Sequence, residues 1–353
     1  MKKSERQDLI VRQAQGADPQ QLLSTQELAL QFDVSETTIR RDFQQLASAG
    51  LLQRQYGGAQ LPQFSPSSEL GPVGILLVSR IDKYRDPFYN MVLEGVDRAL
   101  ERLGYQIGFV KTLHEVGTRT QAKALLDSYA LHGLILLGTA ETDSIAYLRE
   151  NIAPIVTVAD RPEFDDDLVN FDGAGGLRQM VAHLATLGYR RLAYISGYAD
   201  IRYDGFCAGL AACKLTSDPA LHLILEPGPS GWTPDLGERG AQILMKQSLK
   251  PDAIVCASDR LAIGAMAWLQ REGYRVTEDI AVTGCDNIAD SEFTFPPLTT
   301  VNVHKTLLGE IAAERLAKRL ENPAEVYLNI TTPTELVVRQ SCGAYSRKAS
   351  AGP

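Results

Sequence analysis

No apolar run in this 353-residue chain approaches the roughly 20 residues that a membrane span requires, so no membrane partner is expected. Its first residues, MKKSERQDLIVRQAQG, begin with charge. They lack both a continuous apolar core and a small-residue cleavage site, which argues against a signal peptide. Cysteine is scarce and odd in number: Cys207, Cys213, Cys256, Cys285 and Cys342. Metal-type spacing is missing, and several of the five sit inside apolar runs such as IVCAS and VTGC. Buried free thiols in a reducing cytoplasm are the expectation. The five histidines show no metal-site spacing either, so no cofactor is implied. Excess positive charge is also absent. The formal net charge is −8, in an otherwise ordinary globular composition with 44% hydrophobic and 22% charged residues.

What is present is a change of texture along the chain. Residues 1–60 have a helical pattern rich in Gln. LPQFSPSSELGP carries Pro, Ser and Gly without periodicity and reads as a linker over 61–71. Beyond it, short apolar runs alternate with amphipathic stretches: GILLVS, YQIGFVK, GLILLG, PIVTVA and VNF, then RLAYISG, LHLILE, AIVCAS and IAVTGC. This βαβ rhythm predicts parallel sheets covered by helices. About ten strands are many for one sheet, so two α/β lobes are expected. The terminal AYSRKASAGP reads as a disordered tail over 344–353.

Within the first sixty residues, Ser4 with Gln7 and Ser24 with Glu27 form capping boxes, and Ser35 caps a third helix. Only Phe32, Asp33 and Val34 separate the second and third helices, a tight turn of the helix-turn-helix kind. At about 100° per residue, Ile39, Phe43 and Leu46 share one stripe of the third helix. Thr37 and Arg41 then point away from that stripe, with Thr38 and Arg40 flanking them. Guanidinium and hydroxyl groups on that face suit phosphate oxygens and major-groove base edges. GLLQRQYGGAQL follows, two short extended runs with Arg54 and Tyr56 before a Gly-Gly turn, a plausible wing. The bland alternative makes Arg40 and Arg41 ordinary surface ion-pair partners, and net charge does not decide the matter. Seven basic and seven acidic residues balance within 1–62, leaving the whole −8 to the rest of the chain.

The order of parts decides it. STQELALQFDVSETTIRRDFQQLASAGLLQRQYGGA closely resembles the winged helix of the DeoR family of bacterial regulators. The resemblance implies that Ser35, Thr37, Thr38, Arg40 and Arg41 meet double-stranded DNA, with Arg54 and Tyr56 near its backbone.

In a two-lobed parallel-sheet protein, ligand contacts gather at the carboxyl ends of strands. Asp160 and Arg161 follow PIVTVA, Asp172 follows VNF, Ser258 and Asp259 follow AIVCA, and Asp286 follows AVTGC. Carboxylates and guanidinium forks suit sugar hydroxyls, which both donate and accept. Phe88, Tyr89 and Trp232 offer aromatic faces to a sugar ring. Each has a structural alternative: Asp172 as the cap of the helix opening at Gly173, Asp259 as a cap or hinge, and Trp268 as core.

DeoR-type regulators usually carry a sugar-phosphate isomerase-like second domain. From Gly71 to Gly343 this chain instead resembles the effector-binding core of the lactose-repressor (LacI/GalR) family. The markers are DPFYNMVLEGVDRALERLGY, VTVADRPE, NFDGAGGLRQMVAHLATLGYRRLAYISG, IRYDGF, VCASDRLAIGAM, VTGCDNIADSEFTFPPLTTVNV and TELVVRQS, in the family's order. The resemblance implies an effector pocket of Asp86, Phe88, Tyr89, Asp160, Arg161, Asp172, Arg202, Trp232, Ser258 and Asp286. Three departures stand out. Asp86 and Ser258 replace a common Asn, and Val303 replaces a polar residue that is often Gln.

VNFDGAGGLRQM follows a strand and opens a helix, but its glycines do not give G-x-G-x-x-G. With no P-loop, nucleophile elbow or His-centred triad, a dehydrogenase or hydrolase is not expected. A sugar-phosphate isomerase and a sugar-binding protein whose winged helix binds protein remain the alternatives. Steep weakening of DNA binding with salt would separate regulator from both.

The expected fold is therefore α/β: an N-terminal winged helix-turn-helix (1–60) and a two-lobed periplasmic-binding-protein-like (type I) core (72–343). One lobe is drawn as 72–188 with 303–323, the other as 189–302 with 324–342. The expected function is a cytoplasmic, sugar-responsive transcriptional regulator, a repressor rather than an enzyme, acting as a homodimer. LPQFSPSSELGP has no counterpart of the hinge helix of the LacI family.

Overall fold

The computed structural model describes residues 3–16, 22–48, 53–55, 58–60, 70–78, 83–159, 166–228 and 231–345. The chain divides into two compact units, Met1–Glu69 and Leu70–Pro353.

The first unit contains α1 (Lys3–Gly16), β1 (Leu23–Ser24), α2 (Thr25–Gln31), α3 (Glu36–Ser48), β2 (Gln53–Gln55) and β3 (Gly58–Gln60). The cap expected at Ser4 falls inside α1, which already includes Lys3. Ser24 caps α2, accepting from the Glu27 amide at 3.4 Å. The turn into α3 carries Asp33 at φ 50°, a left-handed conformation that Asp tolerates. Ile10, Ala14, Leu28, Ile39, Phe43, Leu46 and Ala59 form the small core. α1 is fixed on α3 by a buried ion pair: Arg6 Nε donates to Asp42 Oδ2 at 2.7 Å, and Gln7 Nε2 to Asp42 Oδ1 at 2.9 Å. The strands form an antiparallel sheet in the order β1-β3-β2, with Gln55 opposite Gly58 across the hairpin. At Gly58 an added Cβ would overlap the Leu23 carbonyl, so β1 can approach only a glycine there.

The second unit runs β4 (Val73–Leu77), α4 (Pro87–Leu103), β5 (Ile107–Thr112), α5 (Arg119–Ser128), β6 (Gly133–Leu137), α6 (Asp143–Asn151), β7 (Ile155–Val158), β8 (Asp167–Phe171), α7 (Gly173–Thr186), β9 (Leu192–Ser196), α8 (Ile201–Ala212) and β10 (His222–Ile224). It continues with α9 (Pro234–Met245), β11 (Ala253–Cys256), α10 (Asp259–Arg271), β12 (Ala281–Thr283), β13 (Thr300–Val303), α11 (Lys305–Glu321), β14 (Asn329–Thr332) and β15 (Thr334–Val337). Six parallel strands form one sheet, β14-β8-β7-β6-β4-β5, and four form a second, β10-β9-β11-β12. β4, β6 and β9 are buried along their whole length, because helices cover both faces of a parallel sheet. β13 and β15 pair antiparallel beside them.

The chain passes between the lobes after β8, after β13 and between β14 and β15. These passages lie side by side. The Asp172 amide donates to Thr332 O at 2.9 Å, and Thr334 Oγ1 donates to Asp172 O at 3.0 Å. Lys305, buried at the start of α11, donates through Nζ to the carbonyls of Val303 (3.0 Å), Asn287 (3.2 Å) and Asp286.

Three limits drawn from the sequence change. α7 packs on α8 and on β13 and β15, so it belongs to the second lobe, not the first. Glycine at 205 allows this, since an added Cβ would overlap the Ala174 backbone. β14 pairs parallel with β8 and so extends the first lobe. Buried Asp167 holds it there, accepting from Arg315 Nε at 2.6 Å and from the Leu328 amide at 2.8 Å. Ala344 is buried, and Tyr345, though exposed, donates through Oη to Val338 O at 3.4 Å, so the ordered chain runs at least to 345; 346–353 lie outside the described residues. Among the described residues, no helix is long and apolar enough to cross a membrane.

Candidate functional site

Two surfaces carry the predicted residues. In the first unit, Ile39, Phe43 and Leu46 are buried, while Ser35, Thr37, Arg40 and Arg41 are exposed and Thr38 is half-buried. Ser35 Oγ accepts from the Thr38 amide at 3.2 Å and lies 2.9 Å from Thr38 Oγ1, capping α3. Arg40 pairs with Glu36 at 3.0 Å on an exposed face, a contact worth little in water and easily exchanged for a phosphate. Asp42, in the same TIRRD stretch, is turned inward onto Arg6 and serves the fold. Arg54 lies on β2 of the hairpin. Tyr56 lies outside the described residues.

In the second unit, a cleft of about 370 Å³ opens where the carboxyl ends of the two sheets face each other. Seven of the ten residues predicted for the effector site line it: Asp86, Phe88, Tyr89, Arg202, Trp232, Ser258 and Asp286. Asp160 and Arg161 lie outside the described residues. Asp172 does not line the cleft. It caps α7, accepting from the Gly175 amide at 2.7 Å, as its structural alternative requires. Val303 is buried in β13 and absent from the lining, and Trp268 packs against the core.

Three helices begin at this cleft, each capped from within it. Asp86 Oδ1 accepts from the Phe88 amide at 3.0 Å, Asp200 Oδ1 from the Arg202 amide at 2.8 Å, and Ser258 Oγ from the Leu261 amide at 3.3 Å. Arg202 is buried. It donates through Nε to Asp200 Oδ2 at 3.0 Å, with a second bond from Nη2 to the same oxygen, and through Nη1 to Ala257 O at 3.3 Å. Burial works against its charge, but Asp200 outweighs burial and holds the guanidinium protonated. Its carbon centre lies 4.3 Å over the Trp232 ring and 5.8 Å from the Phe171 ring. One face of Trp232 is therefore covered by Arg202, and Tyr198 lies against the indole at 4.8 Å. Trp232 is thus a platform for Arg202 as well as part of the cleft wall.

Arg260, on α10 of the second lobe, reaches Asp86 of the first at 3.6 Å, an ion pair across the cleft. Asp286 sits at φ 121°, a left-handed conformation costly for a non-glycine residue. Burial, then the neighbouring Asp259, pushes its carboxyl well above the usual range. Asp259 is fully buried. It accepts from the Ile288 amide at 2.9 Å and from Thr300 Oγ1, and burial raises its pKa to about 7. It joins α10 to β13, a structural role. Phe88 meets Tyr89 edge-on at 5.3 Å and Phe171 at 6.2 Å, making an apolar floor.

Sequence reasoning missed Asp200, Tyr198, Arg260 and Asn170, all of which line the cleft. Tyr198 and Asp200 follow RLAYISG, so the strand-end rule would have found them. Arg260 directly follows Ser258-Asp259. Asn170 lies within a buried strand and carries no such signal.

Residues 6–64 match the DeoR-like helix-turn-helix domain, and residues 181–342 match the periplasmic binding protein-like domain. The chain joins a DeoR-like head to a periplasmic-binding-protein-like core. The transcriptional repressor MelR of Bacillus subtilis (strain 168) is 29% identical to it over 79% of this chain and 81% of MelR. The repressor PurR of Haemophilus influenzae (strain PittEE) is 25% identical over 86% and 90%. Among solved structures, the CelR–cellobiose complex superposes with a TM-score of 0.68 at 25% identity, covering 87% of this chain and 90% of that one. A LacI family regulator from Mycobacterium smegmatis gives a TM-score of 0.64 at 28% identity, covering 76% and 98%.

Proposed function

We propose that this chain is a DNA-binding transcriptional regulator, acting as a repressor in the cytoplasm, and controlled by a small sugar bound between the lobes of its core. The observation that carries this reading is the pairing in one chain of a helix-turn-helix with an exposed Thr37–Arg41 face and a cleft floored by aromatics and rimmed by paired carboxylates and guanidinium groups. Regulators among its relatives and the cellobiose held by its structural neighbour support the same assignment.

The DNA contacts are Ser35, Thr37, Thr38, Arg40 and Arg41, with Arg54 and Tyr56 of the hairpin at the backbone. The effector contacts are Asp86, Phe88, Tyr89, Arg202, Trp232, Ser258 and Asp286, joined by Asp160 and Arg161. A sugar that touches both lobes favours the closed core by its differential affinity for the two states. The working form is a homodimer, because two linked heads gain by effective concentration what one short recognition helix lacks.

The test has two steps. Operators are selected from random duplexes with the full-length protein, and sugars are then titrated into the preformed complex. A sugar that shifts operator affinity supports the reading. Selection that returns no preferred sequence overturns the DNA assignment, and operator affinity indifferent to every sugar that binds overturns the coupling.

A further inference from the structure

We infer that Lys305 is a positioning residue for the effector: its ammonium group, buried where the lobes join, holds the left-handed corner Asp286–Asn287 and so aims the Asp286 carboxyl into the cleft. The inference rests on the reading of the cleft as the effector site. It adds a residue that does not itself line that cleft.

A lysine buried this deeply is normally paired with a carboxylate. Lys305 is 3% exposed, yet its Nζ donates to three backbone carbonyls, those of Val303 at 3.0 Å, Asn287 at 3.2 Å and Asp286. An ammonium group has three donors, and here each one meets a carbonyl. Burial lowers the pKa of Lys305, with Asp286 and Asp259 opposing the shift. The charge is therefore held in place against its desolvation, and the carbonyls are what hold it.

Two of those carbonyls belong to an unusual piece of backbone. Asp286 and Asn287 stand at φ 121° and 53°, consecutive non-glycine residues in the left-handed half of backbone space. Such a corner costs free energy and persists only where its surroundings over-determine it. Its amides and the Asn287 side chain are held by their neighbours. The Asp286 amide donates to Val301 O at 2.9 Å, the Asn287 amide to Thr300 Oγ1 at 3.3 Å, and Arg339 Nη2 to Asn287 Oδ1 at 2.9 Å. Lys305 supplies the hold on the carbonyls, and it reaches them from the other lobe. It opens α11, which packs on α4, β7 and β8, whereas the corner follows β12 of the second sheet.

Asp286 depends on this corner more than the other cleft carboxyls do. Asp86 and Asp200 are each fixed by the helix they cap. Asp286 caps no described helix, so its backbone sets the direction of its side chain. A relaxed corner would turn that carboxyl away from the cleft and leave Asp86 and Asp200 where they are.

Lys305→Met keeps the apolar stem and removes all three donors, and Lys305→Gln keeps two. Hydrogen exchange read by mass spectrometry on the full-length protein, without ligand, reports on the corner. Peptides covering 284–288 should exchange about tenfold faster or more in Lys305→Met, the effect of losing hydrogen bonds from a charged group, while those covering β9 and β11 keep their wild-type rates. Calorimetry with D-ribose, D-glucose and cellobiose reports on the cleft. A sugar that binds the wild type should bind Lys305→Met about tenfold more weakly, within the range of coupling between contacting residues. Asp286→Ala and the Lys305→Met, Asp286→Ala double variant should bind it equally, because Lys305 acts through Asp286. Exchange at 284–288 that quickens no more than the rest of the core overturns the hold on the corner. Additive losses in the double variant overturn the action through Asp286. If none of the three sugars binds the wild type, the sugar reading loses its support while the exchange comparison still decides the hold. Should Lys305→Met fail to fold, Lys305→Gln carries both measurements, with smaller differences of the same sign, and equality with the wild type in both overturns the inference.

Discussion

Arg41 stands on the exposed side of α3, opposite buried Ile39 and Phe43. Arg41→Ala should therefore leave the fold and sugar affinity unchanged while weakening operator binding by about 1–3 kcal/mol, the worth of one bidentate base contact. Band-shift titration beside calorimetry checks both halves, and unchanged operator affinity would show that the reading face lies elsewhere. Asp259 makes a different prediction. Its folded-state pKa of about 7 lies above the ordinary 3.8, so the folded protein holds a proton that the unfolded chain releases. The carboxyl costs nothing below about pH 4, opposes folding increasingly as pH rises towards 7, and then levels off. Asp259→Asn cannot ionise. Its stability relative to wild type should climb through that window by something on the order of a few kcal/mol, at about 1.4 kcal/mol per pKa unit. Denaturant unfolding at pH 4.5, 6 and 7.5 measures it, and a constant difference would refute the assignment. At this scale legibility was uneven for a physical reason. A polar residue after an apolar strand can face the cleft, as Asp286 does, or turn back to cap its own helix, as Asp172 does. Residue type and position are the same in both cases, and only the direction of the side chain differs. Asp86 and Asp200 do both at once.

The helices are brought together by glycine. Where α4 meets α11, a Cβ on Gly309 would overlap the Val92 carbonyl, and one on Gly95 would overlap that of Thr306. α9 and α10 approach in the same way through Gly237 and Gly264. Gly309→Ala must push α11 away from α4. Overpacking of this kind costs about 1–3 kcal/mol, so the melting temperature should fall by several degrees. Because α11 carries Lys305 into the carbonyls of Asp286 and Asn287, the variant should also lose effector affinity. A variant as stable as wild type would mean that the helices separate without cost. The strands whose apolar runs mark them, such as GILLVS and AIVCAS, were legible because full burial on both faces leaves an unbroken hydrophobic signature. β14 was not. NITT sits at the edge of its sheet with two of its four residues exposed, and is held by Arg315 and Asp167 rather than by apolar burial. Nor does hydrophobic pattern say which lobe a helix joins. The placement of α7 follows from the close approach of its Ala174 to Gly205, far along the chain.

At the scale of the whole molecule, the two units have separate cores, Ile10 to Ala59 in one and the sheets of Leu70–Pro353 in the other. A chain beginning at residue 70 should therefore fold, remain soluble and bind the effector as tightly as the free full-length protein does. Aggregation of that fragment would show that the head is integral to the core. Coupling between the units can then be measured without knowing its route. If the effector changes operator affinity by some factor, operator DNA must change effector affinity by the same factor, because both describe one coupling free energy. For a factor of 5–150, that energy is about 1–3 kcal/mol. Calorimetric titration of the effector into the full-length protein, with and without saturating operator, gives one side of this equality, and operator titration at saturating effector gives the other. The fragment beginning at residue 70 should show no operator effect at all. Unequal factors would mean that DNA binding changes something besides the lobe equilibrium, such as the association of two copies. The inequality should then vary with protein concentration, and a dilution series would expose it.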